Sequence, residues 1–184
     1  MTEIDRMLAA NRQWLASFPG DLPVAPARGV AVVACMDSRM PLFGMLGLAV
    51  GDAHVIRNAG GVVTPDTLRS LAISQHLLGT RAVVLVHHTD CGLNKATDEE
   101  FAELVERTTG HRPPFEARAF ADVDADVRES MELVRSAPYL LSAEVRGTVY
   151  DVASGLLREI EDPAAPRRSQ AGGGPLQHGQ QPGS

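Results

Sequence analysis

Apolar residues recur along this chain in two rhythms, and each rhythm predicts a kind of element. Val30-Ala31-Val32-Val33-Ala34 and Ala82-Val83-Val84-Leu85-Val86 are unbroken apolar runs. Such runs suit strands buried on both faces of a parallel sheet. His54 to Arg57 is a shorter strand between them. Val145 to Val152 and Leu156 to Ile160 predict two more, joined by the turn Ala153-Ser154-Gly155.

Helical spacing fills the intervals. Over residues 2–18, Ile4, Leu8, Leu15 and Phe18 share a side, with Met7 and Trp14 beside them. Thr2 and Asp5 can cap that helix, and Pro19-Gly20 ends it. Thr64-Pro65-Asp66 starts a helix that runs to Leu78, with Leu68, Leu71, Ala72 and Leu78 inward. Thr97 caps another, to about Thr108, with Phe101, Leu104 and Val105 inward. Asp122 to Ser136 turns Val123, Val127, Met131 and Val134 to one side.

This alternation predicts an α/β fold: a mainly parallel central sheet flanked by helices, with an N-terminal helical arm and a C-terminal edge strand or hairpin. The arm hangs on a proline-rich link, Leu22 to Arg28, and can pack on the domain or on a partner subunit. Residues 1–162 are expected to form one domain. From 163 to 184 Pro, Gly, Gln and Ser dominate, and disorder is expected.

Charge and cysteine content narrow the function. A net charge of −6 weighs against a nucleic-acid partner, which needs clustered Lys and Arg. No apolar run approaches the ~20 residues of a membrane span, and no secretory signal opens the chain, so a cytoplasmic protein without membrane contact is expected. The two cysteines, Cys35 and Cys91, are unlike a disulfide framework. Taken alone, each is an ordinary buried thiol.

Their neighbours change that reading. In an open α/β sheet, ligands collect beyond the C-terminal ends of the strands. One apolar run leads into Cys35-Met36-Asp37-Ser38-Arg39, the other into His87-His88-Thr89-Asp90-Cys91-Gly92. If the two strands are neighbours, Cys35, His88 and Cys91 meet at one edge. Two thiolates and an imidazole suit zinc, and three such ligands plus a fourth position form the catalytic arrangement. Asp37 is a candidate fourth ligand, and Arg39, two residues on, a candidate partner for it. Ala59, Gly60 and Gly92 are candidate pocket residues, because Arg57-Asn58-Ala59-Gly60-Gly61 can form a floor that brings backbone close. Its simpler reading is a strand-to-helix turn.

The set Cys35-x-Asp37-Ser38-Arg39, then Arg57-Asn58-Ala59-Gly60, then His88-x-x-Cys91-Gly92 resembles the β-class carbonic anhydrases, over about residues 1–162 and in the same order. The short actinobacterial branch is the most similar in its single N-terminal helix and its His-His-Thr-Asp-Cys-Gly loop. The resemblance implies a Zn2+ enzyme, a carbonate dehydratase that hydrates carbon dioxide reversibly to bicarbonate and a proton. Zinc lowers the pKa of a bound water from 15.7 towards ~7, so hydroxide is available as nucleophile. Two thiolates donate more charge than three imidazoles, which implies more activity on the alkaline side. Asp37 then either binds zinc and shuts the site, or pairs with Arg39 and leaves it open. A homodimer or homotetramer is also implied.

Rival readings are a zinc hydrolase of carbon disulfide or carbonyl sulfide, a non-catalytic zinc-binding protein, and a dithiol redox protein. The Asp37–Arg39 pair favours the enzyme. His87 departs from many members, which carry Gly. It is expected to alter the wall beside the metal, as a proton shuttle or as packing. His54 reads as a strand-edge or interface residue, and His76 as a helix C-terminal cation. His111 and His178 read as solvated, and Asp90 as a residue that orients its loop.

Overall fold

A computed structural model describes residues 1–141 and 144–161. The sheet has five strands: β1 (Val30–Cys35), β2 (Ala53–Asn58), β3 (Ala82–His88), β4 (Glu144–Tyr150) and β5 (Leu157–Glu159). Their order is β2-β1-β3-β4-β5. The first four run parallel, and β5 closes the edge as an antiparallel hairpin with β4. Asp151 makes that hairpin's turn by accepting the N–H groups of Ala153 and Ser154, both at 2.8 Å. The expected fold class is the observed one. The tail from 163 to 184 lies outside the described residues.

The helices are α1 (Glu3–Trp14), α2 (Leu42–Met45), α3 (Pro65–His76), α4 (Asp98–Thr109) and α5 (Val123–Ser136). Each long helix starts where a capping residue predicts. Thr2 with Asp5 and Thr97 with Glu100 form reciprocal capping boxes. Thr64 and Asp122 accept N–H groups of the first turns of α3 and α5. The four-residue α2 carries no periodic signal, and the sequence reading does not contain it.

The core divides over the two faces of the sheet. On one, Ala31, Val33, Val83 and Leu85 pack with Leu71 of α3 and with Val127, Met131 and Val134 of α5. On the other, Val32, Ala34 and Val86 pack with Met40, Leu42 and Tyr150, and this cluster reaches Cys35 and Cys91. Gly147 of β4 lies so close under α5 that a Cβ would collide with Val127 Cγ1 and come within 3.0 Å of Met131 Sδ. Gly147→Ala should therefore cost about 1–3 kcal/mol through overpacking, read as a fall of several degrees in Tm.

Three inner faces differ from expectation. Leu104 of α4 is exposed, because α4 rests on the body through Ala102 and leaves that turn in solvent. Leu78 lies beyond the end of α3, whose buried side is Thr67, Leu71, Ser74 and Gln75. Those polar groups are satisfied: Gln75 Oε1 accepts Leu141 N–H at 2.9 Å, and Ser74 Oγ lies 2.7 Å from His54 Nδ1 and 2.8 Å from Thr80 Oγ1. Helix α1 buries no residue at all. It does not pack on the described body of its own chain.

Candidate metal centre

Strands β1 and β3 are neighbours, with Ala34 opposite Val86. Their C-terminal ends, Cys35 and His88, are thus brought to one edge. The chain then turns back through Asp90, whose φ of 55° is a left-handed conformation that Asp tolerates better than most residues. That turn delivers Cys91 to the same place. The ligand atoms of Cys35, His88 and Cys91 lie within 4.8 Å of one another, and all three residues are buried.

The local chemistry fits a metal ion. His88 Nδ1 lies 2.8 Å from Thr89 O. A carbonyl only accepts, so Nδ1 carries the proton and Nε2 presents its lone pair. That Nε2 is buried without a hydrogen-bond partner, a costly state that a cation relieves. Hydrogen bonding from Cys91, helped by His88 and by the Asp37 N–H, lowers the Cys35 pKa against its burial. The bond to Cys35, then burial, raises that of Cys91. Burial opposes a charge on His88, but the neighbouring Cys35 sulfur, which would accept from a protonated ring and carries thiolate charge, outweighs it and raises the pKa. A divalent cation replaces the proton that the two thiols compete for. Two soft sulfurs and one imidazole are a zinc donor set.

Asp37 stands beside this cluster but is engaged by Arg39. Its Oδ1 accepts Arg39 N–H at 2.8 Å and Nε–H at 3.0 Å, and its Oδ2 accepts from Nη2 at 2.8 Å. The fork is bidentate, the strongest form of this pair. These bonds, side-chain first, hold the Asp37 carboxyl well below the usual carboxylate range. Its Oδ2 is 3.7 Å from His88 Nε2, so a short turn of the side chain would bring it to the cluster.

One further contact was not in the sequence reading. Arg57 donates from Nε to Cys35 O at 2.9 Å and from Nη2 to Asp37 O at 2.7 Å, which fixes the loop between them. Gly61, at φ 76°, lies against the strand ends, where a Cβ would sit 2.9 Å from Cys35 N and 3.2 Å from Val86 O. No larger residue fits there. Among the candidate pocket residues, Gly60 is buried against Leu93 and Phe120, whereas Ala59 and Gly92 are exposed.

His87 is corrected. It does not form a wall beside the metal, because successive strand residues point to opposite faces. Its ring is fully buried towards α5, with Nε2 2.6 Å from Asp126 Oδ2 and the Phe120 ring 5.9 Å away. His76 Nε2 lies 2.9 Å from Tyr139 O.

A buried two-thiol, one-imidazole cluster at the C-terminal edge of a parallel sheet defines a zinc-enzyme type of site. The comparisons with known proteins agree. Residues 30–157 match the family described as carbonic anhydrase. The chain is 47% identical over 161 residues to beta-carbonic anhydrase 1 of Mycobacterium tuberculosis, covering 87% of this chain and 99% of that protein. The crystal structure of a carbonic anhydrase from Streptococcus mutans superposes with a TM-score of 0.84 at 40% identity, over 88% of this chain and 99% of the other. A carbon disulfide hydrolase of Acidithiobacillus thiooxidans is 30% identical over 152 residues, 71% of this chain and 76% of that protein. The chain belongs to the β-carbonic anhydrase family.

Proposed function

We propose that this protein hydrates carbon dioxide reversibly to bicarbonate and a proton, with Zn2+ held by Cys35, His88 and Cys91. Zinc bound there supplies a water acidic enough to act as nucleophile near neutral pH. The chain's residues do the rest. Cys35 and Cys91 give up their protons to hold the ion. The His88 Nδ1–H bond to Thr89 aims Nε2. Arg39 keeps the Asp37 carboxylate turned aside, which leaves the fourth position to water. Ionised Asp37 can only accept hydrogen bonds, so it orients a donor placed before it. Gly60 and the exposed Ala59 and Gly92 are assigned to the substrate approach.

The observation that carries this reading is the convergence of three buried donors with a carboxylate that is paired elsewhere. Stopped-flow hydration of carbon dioxide by the zinc-loaded protein, run beside an assay of sulfide release from carbon disulfide, tests it. Rapid hydration with no sulfide release is expected. Sulfide release without hydration would assign the protein to the hydrolases of sulfur analogues.

The functional unit is assigned to residues 1–162 and is assigned to the cytoplasm, where two free cysteines stay reduced. No described helix is long and apolar enough to cross a membrane. A homodimer or homotetramer is proposed because α1 needs a surface. An isolated helix of its 12 residues is marginal in water, yet Ile4, Leu8, Trp14, Leu15 and Phe18 are all exposed. Met36 and Phe43, beside the metal edge, are exposed as well. Light scattering should give at least twice the chain mass, and Leu8→Asp with Trp14→Ala should lower it. A wild-type monomer at every concentration would contradict the assembly.

A further inference from the structure

Arg39 binds more than Asp37. Its Nη1 donates to Asp90 Oδ2 at 2.8 Å, and its Nη2 to Asp90 O at 2.9 Å. Lys95 Nζ takes the other Asp90 oxygen at 2.7 Å. Charges therefore alternate along Asp37, Arg39, Asp90 and Lys95. The row joins the loop after β1 to the loop after β3, and each loop carries zinc-ligand candidates. Asp90 sits between two of them, His88 and Cys91, and its left-handed backbone is part of the turn that places them.

We propose that Asp90 is a positioning residue for the zinc site: it holds the Arg39 guanidinium from the opposite ligand loop, keeps it on Asp37, and so keeps the Asp37 carboxylate off the metal. This rests on the reading of Asp37 as the group that opens or closes the fourth position. Arg39 and Asp37 are two residues apart on one exposed loop, and a guanidinium fixed at one end only exchanges its partner for water readily. A second anchor on a different loop removes that freedom and orients the fork. Loss of the Asp90 carboxylate loosens Arg39, and Asp37 is then freer to turn towards the ligand cluster nearby.

The consequence has an unusual sign. A residue that merely shaped the ligand loop would weaken zinc binding when replaced. Release of Asp37 adds a ligand and tightens it. Asp90→Gly keeps the left-handed backbone available and removes the carboxylate. Asp90→Asn keeps one oxygen for Arg39 Nη1. Zinc affinity of the full chain at pH 7, by competition with a chromophoric chelator, and carbon dioxide turnover are measured together. Asp90→Gly should bind zinc about threefold tighter and turn over about threefold slower, the scale of an exposed ion pair, and Asp90→Asn should shift both less. In an Asp37→Asn background, Asp90→Gly should leave zinc affinity unchanged.

Weaker or unchanged zinc binding in Asp90→Gly overturns the proposal, as does an equal change in the Asp37→Asn background. Arg39→Ala separates the two levels. If it tightens zinc while Asp90→Gly does not, only the role of Asp90 falls. If Arg39→Ala does not tighten zinc, the reading of Asp37 falls and the proposal with it.

Discussion

Cys91→Ala or His88→Ala is expected to leave the protein without stoichiometric zinc and to lower carbon dioxide hydration by about a thousandfold or more, because the acidified water is lost with the metal. The reason lies in the donor count. Three side chains converge within 4.8 Å, and removal of one leaves two, too few to retain zinc against dialysis. Stability should fall with occupancy. A ligand held at a thousand times its Kd adds about 4 kcal/mol to the folded state. For a chain of this size that is on the order of 10 °C in Tm. Chelation of the wild type should reproduce the loss, and added zinc should restore it. The variants should show neither response. Metal analysis, calorimetry with and without chelator, and stopped-flow assays check this together. Full zinc content in either variant would move the metal to other ligands.

Arg39→Ala is expected to retain zinc and lose turnover by about a hundredfold at pH 7, the upper range for a partner that orients a ligand. All three hydrogen bonds that the Asp37 carboxylate accepts come from Arg39. The alanine variant keeps only the backbone N–H. The carboxylate then meets its strongest remaining attraction, a cation close to His88 Nε2, which lies 3.7 Å from Oδ2. Zinc is bound more tightly and works less. Arg39→Lys should recover part of the activity, since it restores the charge without the planar fork. Unchanged kcat/KM in Arg39→Ala would exclude a controlling role for the pair.

The centre of the parallel sheet was legible because β1 and β3 are buried on both faces and read as unbroken apolar runs. The helix starts were legible because Thr2, Thr64, Thr97 and Asp122 are local signals. The metal set was legible because each ligand follows a strand end, so the only inference needed was that β1 and β3 are neighbours. What the chain did not disclose depends on tertiary distance. The Arg57 clamp on Cys35 O and Asp37 O spans 22 and 20 positions. The Arg39–Asp90 bond spans 51. No local pattern marks a side chain that will hydrogen-bond a distant carbonyl. The wall expected of His87 rested on the Gly that many family members carry there, whereas strand alternation sends its ring away to pack against Asp126. Leu104 misled through an amphipathic rhythm that α4 does not fully bury.

The central claim is that zinc sits on Cys35, His88 and Cys91 with its fourth position free for water while Arg39 holds Asp37. A crystal structure of the zinc-loaded protein at the pH of full activity tests it most directly. The account predicts one ion bound to Cys35 Sγ, His88 Nε2 and Cys91 Sγ, a non-protein oxygen as fourth ligand, and both Asp37 oxygens on Arg39. An ion held by other residues, or an Asp37 oxygen on zinc in the active protein, would contradict it.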